Sequence, residues 1–426
     1  MADRIHMTVS PQSWGLPLSN ESDSRHLADL GLPKRELEAR AKHNTYDWLP
    51  NQFDNDAGAF HGYYDPRTRA LAAPQTVNLI APFQLIAAFD RYGDEQFLFM
   101  ARRSADWLET MMVESHPMSL VLGGVRDNIK PTQLWTKYTA DYVTLNLALY
   151  ERMGDEELLQ RAIHSSKFLL QSQNHGFAPK YDDAIEQWSE RGWQSFGRVI
   201  VAMIALQEAT DNEQWLDRAM LWADYGVSLQ DSNGCFYLIN GDYYSSDIAA
   251  DEIRGLLRAA RRTGLNRLRN AAAKFADWHC DNQLPNGAWP LSIDRWGVTV
   301  CDYVGPGDIP NIAISMLLVH NETDDPRYLS TAVRALRYSV AQQCLPGHEQ
   351  PHFDDPHLHW GFWSWAPRYD YTMSADQSTH HVRGYWFFLD YFCSLPEETQ
   401  RRVVELCGSP DRELPRVPEQ YLEAGD

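Results

Sequence analysis

Two adjacent histidines and an arginine stand at the start of the last apolar segment of the chain. Arg383 follows His380-His381 by two residues. Histidine exchanges protons near neutral pH, and arginine binds carboxylates through paired hydrogen bonds. We predict that His380, His381 and Arg383 act with Tyr303 and His61 in proton transfer and anion recognition. One of the two histidines could instead cap the helix or bind a loop carbonyl.

These side-chain types suit β-elimination at a uronate. That reaction needs a group that neutralises the carboxylate, a base that removes the neighbouring proton and an acid for the leaving oxygen. The leaving group would be a sugar in a lyase, or water in an oligosaccharide dehydratase. Aromatic rings stack on sugars while polar groups bind the hydroxyls, although some of the rings could simply pack the loops. The predicted substrate-binding residues are Arg383, Arg198, Tyr64, Tyr138, Tyr244, His359, Trp360, Trp193 and Asn311.

Aspartates at the starts of apolar segments offer a different reaction. Glycoside hydrolysis needs two carboxyl groups, one kept protonated as the acid and one ionised as base or nucleophile. We predict Asp247 and Asp308 as the catalytic pair if the protein is a hydrolase. Taken singly, each could be a helix cap. The full set of candidates is Asp65, Asp141, Asp247, Asp251, Asp302, Asp308 and Asp376.

A histidine-rich loop raises the question of a metal. His352, His357 and His359 stand with Asp354 and Asp355 within eight residues, so a divalent ion could bind at residues 352–359. The spacings match no closed zinc pattern, and loop histidines more often form hydrogen bonds. We therefore expect no cofactor and no metal. The sequence also has no phosphate-binding glycine loop, nucleophile elbow or dinucleotide fingerprint.

A helical hairpin that recurs about every 50 to 60 residues positions these side chains. Each unit consists of an apolar helix, a short polar turn, an amphipathic helix and a longer loop. Asn233-Gly234 and Asn286-Gly287 mark loop turns that need positive φ. Five complete hairpins are predicted, at residues 77–112, 138–171, 195–230, 247–281 and 309–343.

The two ends of the chain supply the sixth hairpin. Residues 34–49 have the pattern of a second helix, and residues 377–393 that of a first helix. Their pairing would close an all-α (α/α)6 barrel over residues 10–395, with residues 396–426 as a tail packed on its surface. The N-termini of the inner helices would then meet beneath the long loops. Such an end suits an anionic or polyhydroxylated ligand.

Charge and composition exclude several classes of partner. The formal net charge of −20 disfavours nucleic acid and anionic membrane surfaces. The first residues form no apolar signal segment, and no stretch is long and apolar enough to cross a bilayer, so we expect a cytoplasmic protein, monomeric or homodimeric. The six cysteines contain no C-x-x-C pair and are interpreted as reduced packing residues.

One short stretch resembles a known family. Residues 245–250, Ser-Ser-Asp-Ile-Ala-Ala, followed by Gly-Leu-Leu at 255–257, are similar to the Asp-Ser-Ser-Ala and Gly-Leu-Leu stretch of the unsaturated glucuronyl hydrolases. The ring of hairpins resembles (α/α)-barrel carbohydrate-active enzymes more widely, including glucuronidases, uronate lyases and N-acylglucosamine 2-epimerases. Residues 196–206 depart from the pattern, because they contain Arg198 but none of the acidic residues with which those hydrolases act. The resemblance implies a class of substrate and not a reaction.

We therefore predict an enzyme that acts on uronate-containing oligosaccharides by β-elimination, as a lyase or dehydratase. A glucuronidase-like hydrolase using the aspartate pair is the first alternative. A sugar epimerase and a non-catalytic sugar-binding protein remain open. A non-catalytic protein would keep the aromatic residues but would not need acids, bases and cations in one cleft.

Overall fold

A computed structural model describes residues 25–116, 119–189, 195–238, 242–348, 355–364, 372–410 and 413–422. Its α-helices are α1 (Arg25–Asp29), α2 (Lys34–His43), α3 (Pro82–Tyr92), α4 (Glu95–Glu109), α5 (Thr136–Met153), α6 (Glu156–Asn174), α7 (Phe196–Thr210), α8 (Gln214–Ser228), α9 (Ser246–Thr263), α10 (Asn266–Asn282), α11 (Asp308–Thr323), α12 (Pro326–Ala341), α13 (Ala375–Ser394) and α14 (Glu397–Cys407).

Short left-handed turns join the two helices of each hairpin. The residue after the first helix has positive φ in all five complete hairpins, as at Gly93 (73°) and Asp211 (54°). In three of them an aspartate then caps the second helix, as Asp155 does by accepting from the Glu157 N–H. Gly234 and Gly287 each have a φ of 90°, which confirms the conformation predicted for the loop turns.

The first helices of the hairpins form the inner ring. Each of α3, α5, α7, α9, α11 and α13 contacts the next, and α13 contacts α3 to complete the circle. On the outside, α13 packs against α2. The predicted pairing of the chain ends is therefore confirmed, and the fold is an all-α (α/α)6 barrel.

Two predicted helix boundaries were wrong. The first hairpin begins at Pro82 and not at residue 77, because residues Thr76–Leu79 form a 3-10 turn and proline favours the first helical position. Residues 34–49 do not form one continuous α-helix, since a π turn (Asn44–Trp48) follows α2. Fully buried Asn44 holds this turn by donating to the Trp360 carbonyl at 2.8 Å.

The C-terminal segment packs on the outer surface. Helix α14 contacts α12 and α1, and its Val403 is fully buried. Arg337 of α12 donates to the carbonyls of Leu30 at 2.9 Å and Cys407 at 3.4 Å. These contacts hold the segment against the barrel, while the predicted domain boundary at residue 395 stays a prediction.

Short strands lead into two of the inner helices. They are β1 (Phe53–Asp54), β2 (Ala59–Phe60), β3 (Tyr64–Asp65), β4 (Ala70–Leu71), β5 (Gln133–Trp135), β6 (Lys180–Asp182), β7 (Gln187–Ser189), β8 (Tyr243–Ser245), β9 (Ser292–Asp294) and β10 (Thr299–Cys301). The antiparallel sheet β5–β6–β7 ends where α5 begins, and the antiparallel sheet β8–β9–β10 ends where α9 begins. Both sheets therefore fix the N-termini of inner helices.

The opposite end of the inner ring is joined by ion pairs. Arg152 of α5 pairs with Asp90 of α3 at 2.5 Å, and Arg258 of α9 pairs with Glu208 of α7 at 2.5 Å. The long loops lie at the other end, where the inner helices begin. Among the described residues, no helix is long and apolar enough to span a bilayer.

Candidate active site

A cavity of about 390 Å³ lies where the inner helices begin. Small-ligand sites in proteins typically measure about 300 to 1,000 Å³, so this cavity suits a small ligand or one end of a longer one. Its lining comes from five inner helices, the turn before α3 and the β8–β9 sheet. The described lining residues are Thr76, Val77, Leu79, Ile80, Lys137, Tyr138, Asp141, Arg198, Ser245, Asp247, Leu291, Ser292, Asp308, Asp376, Gln377 and His380.

Consecutive serines hold two carboxyl groups at one side of this cavity. The Ser245 hydroxyl donates to Asp247 at 2.5 Å, and the Ser246 hydroxyl donates to Asp308 at 2.7 Å. Ser245 ends β8, where it pairs with Ser292, and Ser246 begins α9. The junction of strand and helix thereby directs neighbouring side chains to carboxyl groups on two helices, α9 and α11.

The two carboxyl groups have different surroundings. Burial, and then the charge of Asp247, raises the pKa of Asp308 to about 8. Asp308 is only 6% exposed, whereas the side chain of Asp247 is 30% exposed and lies 3.7 Å from the Lys137 ammonium. At neutral pH Asp308 is therefore a protonated acid beside a second, more exposed carboxyl group. Acid–base catalysis by two carboxyl groups requires such different surroundings.

A chain of ion pairs underlies the cavity. Arg198 of α7 binds Asp141 of α5 at 2.5 Å and Asp251 of α9 at 2.6 Å, and Arg254 binds Asp251 at 2.9 Å and Asn311 of α11 at 2.6 Å. Burial alone would raise the pKa of Asp251, but Arg198 and Arg254 outweigh it and hold that pKa below its usual range. Burial raises the pKa of Asp141 to about 6 despite Arg198.

The close approach of α7 and α9 brings the residues of this chain of ion pairs together. A Cβ atom on Gly197 would lie 2.0 Å from the Asp251 carbonyl oxygen, and one on Gly255 would lie 2.4 Å from the Gly197 Cα. Only glycines allow α7 and α9 to approach this closely. The approach brings Arg198, next in sequence to Gly197, within reach of Asp251.

Helix α13 contributes the remaining polar side chains. Gln377 accepts the Gly307 N–H at 2.9 Å and so joins the start of α13 to that of α11. Burial raises the pKa of Asp376. Burial, and then the charge of Arg383, lowers the pKa of His380 to about 3. The imidazole of His380 is therefore neutral at physiological pH.

The structure brings five of the predicted site residues to the cavity lining: Asp247, Asp308, His380, Arg198 and Tyr138. His381 lies elsewhere. Its Nδ1 is 2.6 Å from the Ser339 hydroxyl of α12, and its ring stacks on Phe362 at 4.0 Å, so it faces the wall between the inner and outer helices. Burial lowers the pKa of His381 well below its usual value.

Two further predicted catalytic residues are absent from the described lining. Tyr303 lies after β10, where its carbonyl accepts from the Leu291 N–H at 2.6 Å. The Nδ1 of His61 lies 2.8 Å from the Ala72 carbonyl. The cavity therefore does not unite His381, Tyr303 and His61, and their catalytic roles stay predictions.

Several predicted substrate-binding residues instead pack the protein. Tyr244 is fully buried against His279, and Tyr64 donates to Asp355. Trp360 stacks on His43 at 4.4 Å, and His359 follows a 3-10 turn where burial lowers its pKa. Asn311 accepts from Arg254, and Arg383 lies over the Phe83 ring at 5.5 Å. Trp193 lies outside the described residues.

Sequence reasoning missed Lys137, Gln377 and Arg254. Lys137 and Asp141 are four residues apart and so share one face of α5, and Arg254 follows Asp251 by three residues on α9. A basic residue three or four positions from a predicted aspartate was the sequence signal that could have identified Lys137 and Arg254. For the loop at residues 352–359, His352 and Asp354 lie outside the described residues. No metal-binding group of three or more side chains occurs among the residues that the structure does describe.

Comparison with solved structures finds proteins of the same architecture. A D-mannose isomerase has a TM-score of 0.66 at 14% identity, covering 83% of this chain and 97% of the other. Cellobiose 2-epimerase from Bacillus thermoamylovorans B4167 has a TM-score of 0.68 at 14% identity, covering 84% and 98%. Unsaturated glucuronyl hydrolase from Bacillus sp. GL1 has a TM-score of 0.55 at 13% identity, covering 86% and 96%.

The chain shares the fold of these sugar-processing enzymes. At such low identity the likeness concerns the fold alone, and the named proteins catalyse different reactions. No protein-family model and no curated protein matches the sequence. The residues of the cavity must therefore carry the argument about function.

Proposed function

We propose that the protein is a glycoside hydrolase in which Asp308 donates a proton to the glycosidic oxygen and Asp247 acts as the base or nucleophile. The observation that carries this proposal is the carboxyl pair at the cavity wall, in which a protonated acid lies beside a second carboxyl group. A buried acid with a pKa of about 8 still holds its proton at neutral pH. It can therefore protonate a leaving group there.

The surroundings of the pair support this division. Asp308 is buried, so its ionised form would be poorly solvated. The group therefore keeps its proton until the leaving oxygen takes it. Asp247 is more exposed, and its carboxyl group lies 3.7 Å from the Lys137 ammonium. Tyr138 offers an aromatic ring in the lining, against which a sugar face can stack.

The charges around the cavity favour a neutral saccharide over a uronate. Besides Asp308, four carboxyl groups and four basic side chains line the cavity or adjoin it: Asp141, Asp247, Asp251 and Asp376, and Lys137, Arg198, Arg254 and Arg383. Arg198, predicted to bind a substrate carboxylate, is already held between Asp141 and Asp251. An acidic substrate would meet little net positive charge among the described residues.

A sugar epimerase or isomerase is the second candidate. The position of His380 at the cavity supports it, because histidine is the most common base for removing a proton, here from a carbon next to a carbonyl. Its pKa of about 3 makes it a weak base, so this reaction ranks second. β-Elimination at a uronate stays the third candidate. The three reactions differ in product, since hydrolysis gives new reducing ends, isomerisation leaves the mass unchanged and elimination creates an absorbing enol-uronate.

A panel of neutral and uronate-containing disaccharides and aryl glycosides tests the proposal. We expect new reducing ends from neutral members. Asp308→Asn and Asp247→Asn should each lower kcat by about two to four orders of magnitude, the usual effect of losing an acid or base. Asp302→Asn is the matched control, because Asp302 is exposed and lies outside the described lining. Full activity in Asp308→Asn together with loss in His380→Gln would favour the epimerase.

A further inference from the structure

One face of the β8–β9–β10 sheet continues from the cavity wall towards the tip of the β9–β10 hairpin. Ser245 of β8 and Ser292 of β9 pair with each other, and both line the cavity. Residues two positions apart in a strand share a face of the sheet. The next pair on the face of these serines is Tyr243 with Asp294. This face therefore leads outward from the cavity past a half-buried tyrosine.

Trp296 stands at the tip of this hairpin and is 76% exposed. It follows Ser292 by four residues, and four residues of extended chain span at most about 14 Å. Val298 and Val300 come next in the same hairpin and are also exposed. Single exposed apolar side chains are ordinary, whereas adjoining ones mark a binding surface. The hairpin therefore carries an apolar surface within about 14 Å of the cavity wall.

Hydrogen bonds fix the conformation of the hairpin tip. Asp294 Oδ1 accepts the N–H groups of Trp296 at 3.0 Å and of Val298 at 2.8 Å. The Arg295 N–H donates to the Asp242 carbonyl at 3.1 Å, which joins the tip to the residue before β8. A binding surface that is already ordered loses little conformational entropy when a ligand binds. The backbone therefore presents the indole ring without rearrangement.

We propose that this sheet face is an outer subsite that binds the distal units of a linear, neutral oligosaccharide by stacking them on Tyr243 and Trp296. The inference rests on the hydrolase function proposed above, and it names the class of substrate as a chain of several sugars. One end of the chain lies in the cavity at the carboxyl pair, and the rest runs along the sheet to the tip. Aromatic rings bind the apolar faces of sugars without a charged partner.

The charged groups near the tip favour a neutral chain. Asp294 is the acidic residue of this face, and it would repel an acidic sugar. Arg295 lies 3.7 Å from the carboxyl group of Asp231, so its charge is partly offset. The described residues of the tip therefore offer an acidic oligosaccharide no net attraction.

A second copy of this chain is the other occupant that an exposed apolar hairpin could receive. The same sheet face lines the cavity, so a partner seated on it would cover the substrate's path to the carboxyl pair. A saccharide that enters the cavity instead uses both parts of the face at once. Continuity between the face and the cavity therefore favours the saccharide.

The dependence of kcat/KM on chain length tests the subsite. The substrates are the fastest-cleaved neutral disaccharide of the panel and its longer linear homologues. Trp296→Ala should lower the ratio of kcat/KM for the longest homologue to that for the disaccharide about three- to tenfold, the effect of losing one aromatic contact. Trp296→Phe keeps a ring and should retain most of the ratio. Tyr243→Ala should act from a shorter chain length onward, because Tyr243 lies nearer the cavity.

Phe99→Ala is the matched control. Phe99 is a 60% exposed aromatic residue on the outer helix α4, outside the described lining. Its replacement should leave the ratio unchanged, and thermal unfolding verifies that every variant is folded. Calorimetric titration with linear gluco- and manno-oligosaccharides measures binding without turnover. In Asp308→Asn, adding Trp296→Ala should weaken the binding of the longest bound oligosaccharide about three- to tenfold.

An equal chain-length ratio in wild type and Trp296→Ala, or equal affinities in the calorimetric pair, would overturn the inference. A wild-type dimer that Trp296→Ala converts to a monomer in analytical ultracentrifugation would also overturn it, because Trp296 would then bind a second copy. Loss of turnover in Asp308→Asn alongside either result would leave the hydrolase proposal standing. Full turnover in Asp308→Asn and Asp247→Asn, with binding that still depends on Trp296, would remove the hydrolase proposal and support the subsite.

Discussion

The Ser246 hydroxyl provides a direct test of Asp308 as the acid. Ser246 is 1% exposed, and its hydroxyl donates to Asp308 Oδ2 at 2.7 Å. A donor stabilises the ionised carboxylate more than the neutral acid, so this bond lowers the pKa of Asp308 against the larger, opposite effect of burial. Ser246→Ala should therefore raise that pKa further above about 8.

The size of the shift follows from the strength of the bond. A hydrogen bond to a charged group contributes about 1.5 to 3 kcal/mol, and one pKa unit corresponds to about 1.36 kcal/mol. The alkaline limb of kcat/KM, which reports the free enzyme, should move up by about one to two pH units. Below pH 7 the acid is protonated in both proteins, so their rates should differ little there.

The assay is the pH profile of reducing-end release from a neutral glycoside between pH 5 and pH 10. Ser245→Ala is the matched control, because the Ser245 hydroxyl bonds Asp247 at 2.5 Å and not Asp308. The control should leave the alkaline limb in place. If Ser246→Ala left this limb unchanged or moved it to lower pH, the limb would not report Asp308 and its assignment as the acid would be wrong.

Two further predictions concern the chain of ion pairs beneath the cavity. Arg198→Met should lower the free energy of unfolding by about 3 to 5 kcal/mol, because Asp141 and Asp251 would remain buried without the cation they share. Urea unfolding measures this change, and a loss below about 1 kcal/mol would contradict the prediction. Gly197→Ala should lower the free energy of unfolding by about 1 to 3 kcal/mol or more, because the new Cβ would lie 2.0 Å from the Asp251 carbonyl oxygen. An unchanged melting temperature would contradict this, because α7 and α9 could then move apart at no cost in stability.

The repeat architecture was predictable from the sequence because it depends on local chemistry. Alternating apolar and amphipathic helices, polar turns and Asn-Gly steps each leave a pattern within one hairpin, and the unpaired patterns at residues 34–49 and 377–393 predicted the closure. The backbone conformation of the residues after α2 was not predictable from the sequence. The π turn depends on buried contacts of Asn44 with Gln84 and Ser378, which come from distant parts of the chain.

The candidate site was predicted only in part, and the two adjacent histidines show why. Neighbouring helical residues point about 100° apart, so only one of His380 and His381 can face the cavity. Sequence reasoning favoured both, whereas packing places His381 against Ser339 and Phe362. The aspartate pair was predicted only as an alternative. Acidic side chains are common at helix starts, so their position there did not distinguish catalytic aspartates from helix caps.

The sequence by itself determined the hairpins, the closed ring and the end of the ring where the functional groups collect. Only the tertiary structure decided which groups meet. Ser246 and Asp308 are 62 positions apart, and Arg198 reaches carboxylates 57 and 53 positions away. The pKa of about 8 for Asp308 arises from burial and from a neighbouring charge on another helix. Helical periodicity is a property of a single segment, whereas desolvation and charge pairing depend on what several segments enclose together.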